Sequence, residues 1–353
     1  MQYHHSRLRG LALVIVIASW LPWLSTVRAQ SVEAARLHAV IVNGGRNKLT
    51  NHERYWNDCA FLYRTLRQDC RFARQDITLL ISDGGEPERD MLLADGSGFA
   101  TSPADLDDDG ERDVWLPATI AQIESSLNEL AAQLTTNDHL FVFLMDHGGR
   151  DDNQQSYAWV WGGERLYDTR LAQLLDNFHV ASTGIVVGMC YSGGFIEELQ
   201  ADNRVIVASC ADNEQSWACR DKPYDEFVYH WTCAIAGHDP DGNAVSADTD
   251  GDGYVTMSEA FSYARQHDRR EETPQYSSTP LALGEQWSLS KHLGNGISES
   301  WVESKEERDY KYYDLLGRAV APQSVAERKY LKKPNAKQSF RPSPIIIIYP
   351  QSR

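Results

Sequence analysis

Residues 139–149 have the sequence HLFVFLMDHGG. An apolar run that ends at Met145 is followed at once by an aspartate, His147 and two glycines. A second run, TGIVVGM at Thr183–Met189, leads in the same way into Cys190 and more glycines. Short, continuous apolar runs are typical of strands buried on both faces of a parallel sheet. In such sheets the chemistry lies in loops beyond the carboxyl ends of the strands.

Further runs of the same kind flank this pair in the sequence. They predict strands at Leu37–Asn43, Ile77–Ser82 and Arg204–Ser209. Amphipathic segments between the strands predict helices, at residues 52–66, after Pro117, at 168–178 and at 258–266. Strands that alternate with helices predict an α/β fold with a mostly parallel central sheet and helices on both faces.

The two strand ends supply the residue types of a cysteine nucleophile. If the strands are neighbours, His147 and Cys190 emerge at the same edge of the sheet. A thiol becomes a nucleophile when a nearby histidine takes its proton. Flanking glycines let backbone N–H groups approach a substrate carbonyl, so the N–H groups of Gly148 and Cys190 are candidates for an oxyanion site. Taken singly, the histidine fits a polar loop and the cysteine a buried structural thiol.

These two strand ends resemble those of caspase-like cysteine peptidases, and most of all the legumain family. Three further segments carry the resemblance, which spans about residues 36–290: HAVIVNGGRNKLTNHERYWNDCAFLY (38–63), VASCADNEQSWAC (207–219) and TPQYS (273–277). The resemblance implies a caspase-like three-layer sandwich and a cysteine endopeptidase with Cys190 and His147 as catalytic residues. It aligns Asn51 with the third catalytic residue of the family, which orients the histidine, and Ser216 with a serine of the substrate pocket.

The substrate pocket departs from the legumain pattern. Legumains usually have an acid directly after the nucleophile, where this chain has Tyr191. The pocket arginine of the family aligns with Glu53, next to Arg54, and a second pocket acid is matched by Asp225 or Glu226. Asparagine and a basic residue therefore both stay open as the residue before the cleaved bond.

Two acidic loops have the spacing of calcium sites. Residues 248–259 match a twelve-residue EF-hand loop, in which oxygen ligands stand at positions 1, 3, 5, 7, 9 and 12. The predicted ligands of this loop are Asp248, Asp250, Asp252, the carbonyl of Tyr254, Thr256 and Glu259. A second loop resembles the shorter DxDxDGxxD motif, with predicted ligands Asp105, Asp107, Asp109, Glu111 and Asp113. We expect Ca²⁺ to act structurally, and no catalytic cofactor is expected.

Charge and organisation limit the partners of the chain. The formal net charge is −16, and residues 30–300 contain 44 acidic but only 20 basic residues. Such a body repels nucleic acid phosphates, so a protein or peptide substrate is expected, while the oligomeric state stays open.

We expect a signal peptide at 1–29, a peptidase domain at 30–295 with calcium-loop insertions at about 103–116 and 239–268, and a basic extension at 296–353. After cleavage of the signal peptide no transmembrane segment is expected, and the protein is predicted to be secreted, periplasmic or at the cell surface.

Two other functions fit the same residues. A transpeptidase or transamidase differs from a peptidase only in whether an amine or water attacks the acyl-enzyme. A calcium-binding surface protein on an inactive peptidase fold would need no catalysis, and the intact pair of Cys190 and His147 argues against it.

Overall fold

The chain divides into two units, Met1–Gly296 and Ile297–Arg353. A six-stranded sheet forms the centre of the larger unit. The computed structural model describes residues 35–290 and the backbone of residues 312–313, 319–320 and 347–348. The predicted signal peptide and most of the predicted basic extension lie outside the described residues. None of the described helices is long and apolar enough to cross a membrane.

Strands and helices alternate through most of the described chain. The strands are β1 (Leu37–Asn43), β2 (Ile77–Ile81), β3 (Met91–Leu92), β4 (Phe99–Ala100), β5 (His139–Met145), β6 (Gly148–Arg150), β7 (Ser156–Val160), β8 (Glu164–Tyr167), β9 (Ser182–Gly188), β10 (Arg204–Ala208), β11 (Gln275–Thr279), β12 (Tyr312–Tyr313), β13 (Ala319–Val320) and β14 (Ile347–Ile348). The α-helices are α1 (Glu53–Arg64), α2 (Ile120–Ala131), α3 (Asp168–Leu175), α4 (Gly194–Leu199), α5 (Glu226–Ala236) and α6 (Met257–His267).

The central sheet has the strand order β11–β10–β9–β5–β1–β2. All neighbouring strands are parallel except β11, which runs antiparallel to β10 at one edge. A separate antiparallel sheet of β6, β7 and β8 follows the end of β5. In the smaller unit, β12 pairs with β13 and β14. The predicted α/β fold is confirmed, and its arrangement is consistent with a caspase-like fold.

Two hydrophobic layers cover the faces of the sheet. Successive strand residues point to opposite faces, so Phe141 and Phe143 of β5 join one core while Leu140 and Val142 join the other. Helices α1, α5 and α6 cover the first face, and α2, α3 and α4 cover the second. This is the physical reason why the strands are apolar without alternation.

Local signals fix the ends of several helices. Thr119, two residues after Pro117, caps α2: its side chain accepts a hydrogen bond from the N–H of Gln122. Helix α6 begins with a capping box between Thr256 and Glu259. Gly237 ends α5 in the left-handed conformation, with φ of 75°. Helices α4 and α5 were not predicted from the sequence.

Candidate active site

The ends of β5 and β9 lie side by side, with Met145 opposite Gly188. The chain leaves both strands in the same direction, and the N–H of Asp146 donates to the carbonyl of Gly188 at 3.3 Å. A Cβ atom at Gly148 would overlap the carbonyl oxygen of Cys190, so only glycine fits there. The histidine loop and the cysteine loop are therefore in direct contact at one edge of the sheet.

Both ring nitrogens of His147 have partners. Nε2 lies 3.0 Å from the backbone carbonyl of Thr50, and Nδ1 lies 3.0 Å from the hydroxyl of Tyr55. Because a carbonyl can only accept, Nε2 carries the ring proton and Nδ1 accepts from Tyr55. Burial lowers the pKa of His147 to about 4, so the imidazole is neutral at physiological pH.

Charged residues fix the position of Tyr55, which lies in the first turn of α1. Arg54 donates to the Tyr55 hydroxyl at 3.0 Å and to the carboxylate of Asp225 at 3.1 Å. Asp225 stands at the start of α5, and its backbone N–H donates to the carboxyl of Asp58 at 3.1 Å. A chain of contacts thus runs from the start of α5 through α1 to His147.

The predicted contact between Asn51 and His147 is not present. The buried amide of Asn51 donates to the Ser82 hydroxyl at 2.8 Å and to the Asp90 carbonyl at 3.1 Å. Its neighbour Thr50 supplies the acceptor for His147 through the backbone instead. The physical reason is that the Asn51 side chain fastens the loop before α1, which leaves the preceding carbonyl pointing at the imidazole.

The thiol of Cys190 is half-buried. Sγ donates to the backbone carbonyl of Ser216 at 3.6 Å, and within residues 35–290 no hydrogen bond joins it to His147. Burial raises the pKa of Cys190, and the carboxyls of Asp225 and Glu272 raise it further. The thiol and the imidazole are therefore both neutral, rather than a preformed thiolate–imidazolium pair.

The backbone N–H groups of Gly148 and Cys190, predicted to form the oxyanion site, make no hydrogen bonds within the described strands and loops. The N–H of Trp159 bonds the His147 carbonyl, which makes Gly148 and Ala158 a non-hydrogen-bonded pair of the β6–β7 ladder. The Gly148 N–H is thereby left out of that ladder. Of the residues that the structure describes, none accepts a hydrogen bond from the Cys190 N–H. Both N–H groups of the predicted oxyanion site are thus available.

A buried carboxyl ties the histidine loop to the end of β1. Asp146 accepts hydrogen bonds from the N–H groups of Gly44, Gly45 and His147, at 2.6 to 3.1 Å. Burial raises the pKa of Asp146 to about 8, although the three donors act in the opposite direction. This contact fixes the backbone on which His147 stands.

The predicted pocket residues separate into two groups. The first group surrounds Cys190: the Ser216 carbonyl accepts from the thiol, and the charges of Asp225 and Arg54 are close enough to shift its pKa. Tyr191 follows Cys190 in the left-handed conformation, with φ of 61°. Two predicted residues face elsewhere, which corrects their assignment to the pocket. Glu53 accepts from the Ala94 N–H at 2.7 Å, and Glu226 lies against Arg269 and His230.

Comparison with known proteins was informative at the level of the family. The sequence model of the peptidase C13 family matches residues 122–306, just over half of the chain, and this segment includes both His147 and Cys190. The chain belongs to the peptidase C13 family. Membership places it among cysteine peptidases and transamidases and points to a hydrolase that acts on protein.

Other comparisons add little to the C13 assignment. No curated protein matches the chain. Among solved structures, protein GSU0716 from Geobacter sulfurreducens is similar at 12% identity and a TM-score of 0.40, over 69% of this chain and 93% of that one.

Sequence reasoning missed several residues of this C13 site. Thr50 acts through its backbone, which no side-chain pattern reveals. Tyr55 is the third residue of α1, and its contact with His147 depends on how α1 packs beside the end of β5, which no sequence pattern reveals. Glu272 directly precedes the TPQYS segment, yet its approach to Cys190 depends on how β11 joins the sheet.

The two acidic loops of this C13 family member differ in how their carboxylates are used. In the loop at 248–259, oxygens of Asp248, Asp250 and Asp252 lie within 4.8 Å of one another. Glu259 spans the loop, accepting from the N–H groups of Thr249 and Thr256 at 2.8 and 2.9 Å. Glu259 and Thr256 thus serve the capping box of α6, and Tyr254 stands on the exposed part of the loop.

In the loop at 105–113, the oxygens of Asp105, Asp107 and Asp109 also lie within 4.8 Å of one another. The side chain of Asp107 is only 6% exposed, and the Oδ1 atoms of Asp105 and Asp107 are buried without a hydrogen-bond partner.

The other two residues predicted as ligands of this loop have different partners. Asp113 accepts from the Tyr63 hydroxyl at 2.7 Å, and Glu111 pairs with Arg74 at 3.1 Å. Arg74 also pairs with Asp113 and with Asp109, so Glu111, Asp113 and one member of the aspartate triad share this arginine.

Proposed function

We propose that the chain is a secreted cysteine endopeptidase in which Cys190 is the nucleophile and His147 the general base. The observation that carries the proposal is the contact between the two strand-end loops, where Gly148 packs on the backbone of Cys190. The family supports cysteine chemistry, and this contact names the residues that would perform it. The substrate is a protein or peptide.

The protonation states favour a mechanism with general-base activation. In the resting state the thiol donates to Ser216, and Nδ1 of His147 accepts from Tyr55. As Sγ attacks the scissile carbonyl, the Tyr55 hydroxyl turns its proton away from Nδ1 and the thiol proton passes to Nδ1, because Nε2 already carries the proton that is bound to the Thr50 carbonyl. His147 then gives that proton to the departing amine, and water hydrolyses the thioester that remains.

The oxyanion of the tetrahedral intermediate would be held by the backbone. The N–H groups of Gly148 and Cys190 are the candidates, since neither is used by the described strands and loops. Such donors in a partly dry site are worth roughly 10²- to 10³-fold in rate each.

Replacement of the nucleophile tests the function. We expect Cys190→Ala to lower peptide hydrolysis by several orders of magnitude while the thermal unfolding curve stays close to that of the wild type. Cys219→Ala, which removes another half-buried thiol, is the matched control and should keep activity. Mass spectrometry of the products with and without an added amine separates hydrolysis from transamidation. Undiminished hydrolysis by the alanine variant would reject Cys190 as the nucleophile.

The two acidic loops are proposed as structural calcium sites. Their donor sets consist of carboxylate oxygens, which suit a hard cation such as Ca²⁺. The buried, unpartnered oxygens of Asp105 and Asp107 fit this role best, because a cation would supply the partner that they lack. No ligand of either loop takes part in the proposed cysteine chemistry.

Export through a signal peptide at residues 1–29 completes the proposal. The support comes from the sequence, in which three arginines flank an apolar run and no acidic residue occurs before position 33. Export would bring the acidic loops into a compartment rich in calcium. Detection of the processed chain outside the cytoplasm, with a new N-terminus near Gln30, is the measurement that checks it.

A further inference from the structure

Glu272 carries an unused carboxyl beside the candidate nucleophile. The residue lies between α6 and β11, and both of its carboxyl oxygens are buried without a hydrogen-bond partner. Ser216 and Asp268 lie beside it, but neither completes a well-formed hydrogen bond. No ion pair reaches it from the residues that the structure describes, although Arg269 and Arg270 are close in sequence.

Two basic side chains near Glu272 have other partners. Arg54 binds Asp225, and Arg270 lies over the indole of Trp217 at 5.2 Å. Asp225 therefore has a cationic partner inside the protein, whereas Glu272 has none among the described residues. A buried carboxyl left without a partner is unfavourable, so its partner is expected to come from outside.

The position of Glu272 connects it to the reaction centre. Ser216 receives the Cys190 thiol on its backbone carbonyl and presents its side chain to Glu272. A substrate residue seated against Ser216 would thus have the thiol on one side and the Glu272 carboxyl on the other. That is the place of the residue before the cleaved bond, because the nucleophile attacks the carbonyl of that residue.

We infer that Glu272 binds the side chain of an arginine or lysine that precedes the cleaved bond. The inference rests on the proposed function, and it narrows the two specificities left open by the sequence to the basic one. A guanidinium or ammonium group supplies both N–H donors and positive charge. The Glu272 carboxyl lacks a partner for its oxygens, and the Asp268 carboxyl beside it adds negative charge. The amide of asparagine brings donors but no charge.

Binding of a basic side chain should release a proton. Burial raises the pKa of Glu272 to about 9, and Asp268 and Asp225 also act to raise it. The carboxyl of the empty pocket is thus largely protonated at pH 7, and a cation that forms an ion pair with it favours the ionised form. Binding should therefore tighten as pH rises from 6 to 8, provided that the ligand stays charged.

Peptides that differ only at the residue before the cleaved bond test the inference. We would compare arginine, lysine, asparagine and citrulline, the neutral isostere of arginine. Wild type should prefer arginine over citrulline by roughly 10²- to 10³-fold in kcat/KM, the range for a buried charge pair. Glu272→Gln, which keeps the shape of the side chain, should reduce that ratio to near one. The control Glu271→Gln changes an exposed neighbour and should leave the ratio unchanged.

A binding arm separates this inference from the proposed function. In the Cys190→Ala background, equilibrium binding of the arginine and citrulline peptides requires no turnover. Tighter binding of the arginine peptide that depends on Glu272 supports the inference, even if the wild type cleaves neither peptide and the proposed function fails. Equal binding of the two peptides, or preference for asparagine in the wild type, overturns it. The comparison of peptides on the wild type needs no variant and is independent of whether Glu272→Gln folds.

Discussion

Tyr55 helps to hold the candidate histidine in one neutral tautomer. Its hydroxyl donates to Nδ1 while Nε2 donates to Thr50, so the neutral ring is held at both nitrogens. The hydroxyl itself receives a hydrogen bond from Arg54 and has no other described donor. A neutral imidazole can accept the thiol proton, whereas an imidazolium cannot. Tyr55 thus acts through His147 as a positioning residue.

Tyr55→Phe should make the activity more sensitive to acid. The hydroxyl favours the neutral imidazole, so its loss should raise the pKa of His147 from about 4 by up to about one unit. At pH 5 more of the ring would then be protonated and inactive as a base. The ratio of variant to wild-type kcat/KM should fall about twofold between pH 7 and pH 5, beyond any loss common to all pH values. The use of a ratio cancels titrations that both proteins share.

The control for this prediction is another buried tyrosine. Tyr63→Phe removes a hydroxyl that binds Asp113, away from the strand-end loops. It should leave the pH dependence unchanged even if it lowers stability. A ratio for Tyr55→Phe that is flat from pH 5 to pH 7 would show that the hydroxyl does not control the protonation of His147.

At the scale of elements, the strands were predictable and parts of the site were not. Residues 37–43 and 139–145 were predicted as strands with their observed bounds, because strands buried on both faces need unbroken apolar runs. Helix α5 was missed because its sequence EFVYHWTCAIA is buried almost all round and lacks a clear 3.6-residue period. The resemblance to legumains gave Asn51 the role of orienting His147, and the sequence could not reveal that the Thr50 carbonyl points at the imidazole instead.

Helix α6 begins directly in the acidic loop at 248–259, so calcium should stabilise the helix as well as the loop. Chelation is expected to lower the melting temperature. At 10 to 100 times the dissociation constant, bound Ca²⁺ adds about 1.4–2.7 kcal/mol per site, or roughly 3–10 °C. Differential scanning fluorimetry with chelator and with millimolar Ca²⁺ measures this shift.

A variant that tests calcium binding must remove a ligand without weakening α6 in the absence of metal. Glu259→Ala would also break the capping box and weaken α6 without any metal. Asp250→Asn keeps an oxygen for the Asp252 N–H and changes only charge, and Asp105→Asn does the same for the Gly110 N–H in the other loop. Each should remove part of the calcium response and little of the stability in chelator. A wild-type melting curve indifferent to millimolar Ca²⁺ would reject both sites.

At the scale of the molecule, the core on one face of the sheet supports the site. Trp231 of α5 is fully buried and stacks on Phe141 of β5, with ring centroids 5.8 Å apart and planes 7° from parallel. The N-cap residue of the same helix is Asp225, which binds Arg54 and, through it, positions Tyr55. Packing in the middle of the sheet is therefore coupled to the orientation of His147 at its edge.

Substitutions of Trp231 should separate packing from chemistry. Trp231→Ala removes a large buried ring and should lower the free energy of unfolding by about 3–5 kcal/mol. Trp231→Phe should cost less than about 1.5 kcal/mol, because it keeps most of the stacking on Phe141 and removes an indole N–H that is buried without a partner. Urea denaturation should show lower midpoints with unchanged slopes. Under folding conditions the phenylalanine variant should keep wild-type kcat/KM, since it leaves Asp225 and Arg54 in place. A stable phenylalanine variant with greatly reduced activity would mean that Trp231 affects the site by a route other than the packing of α5.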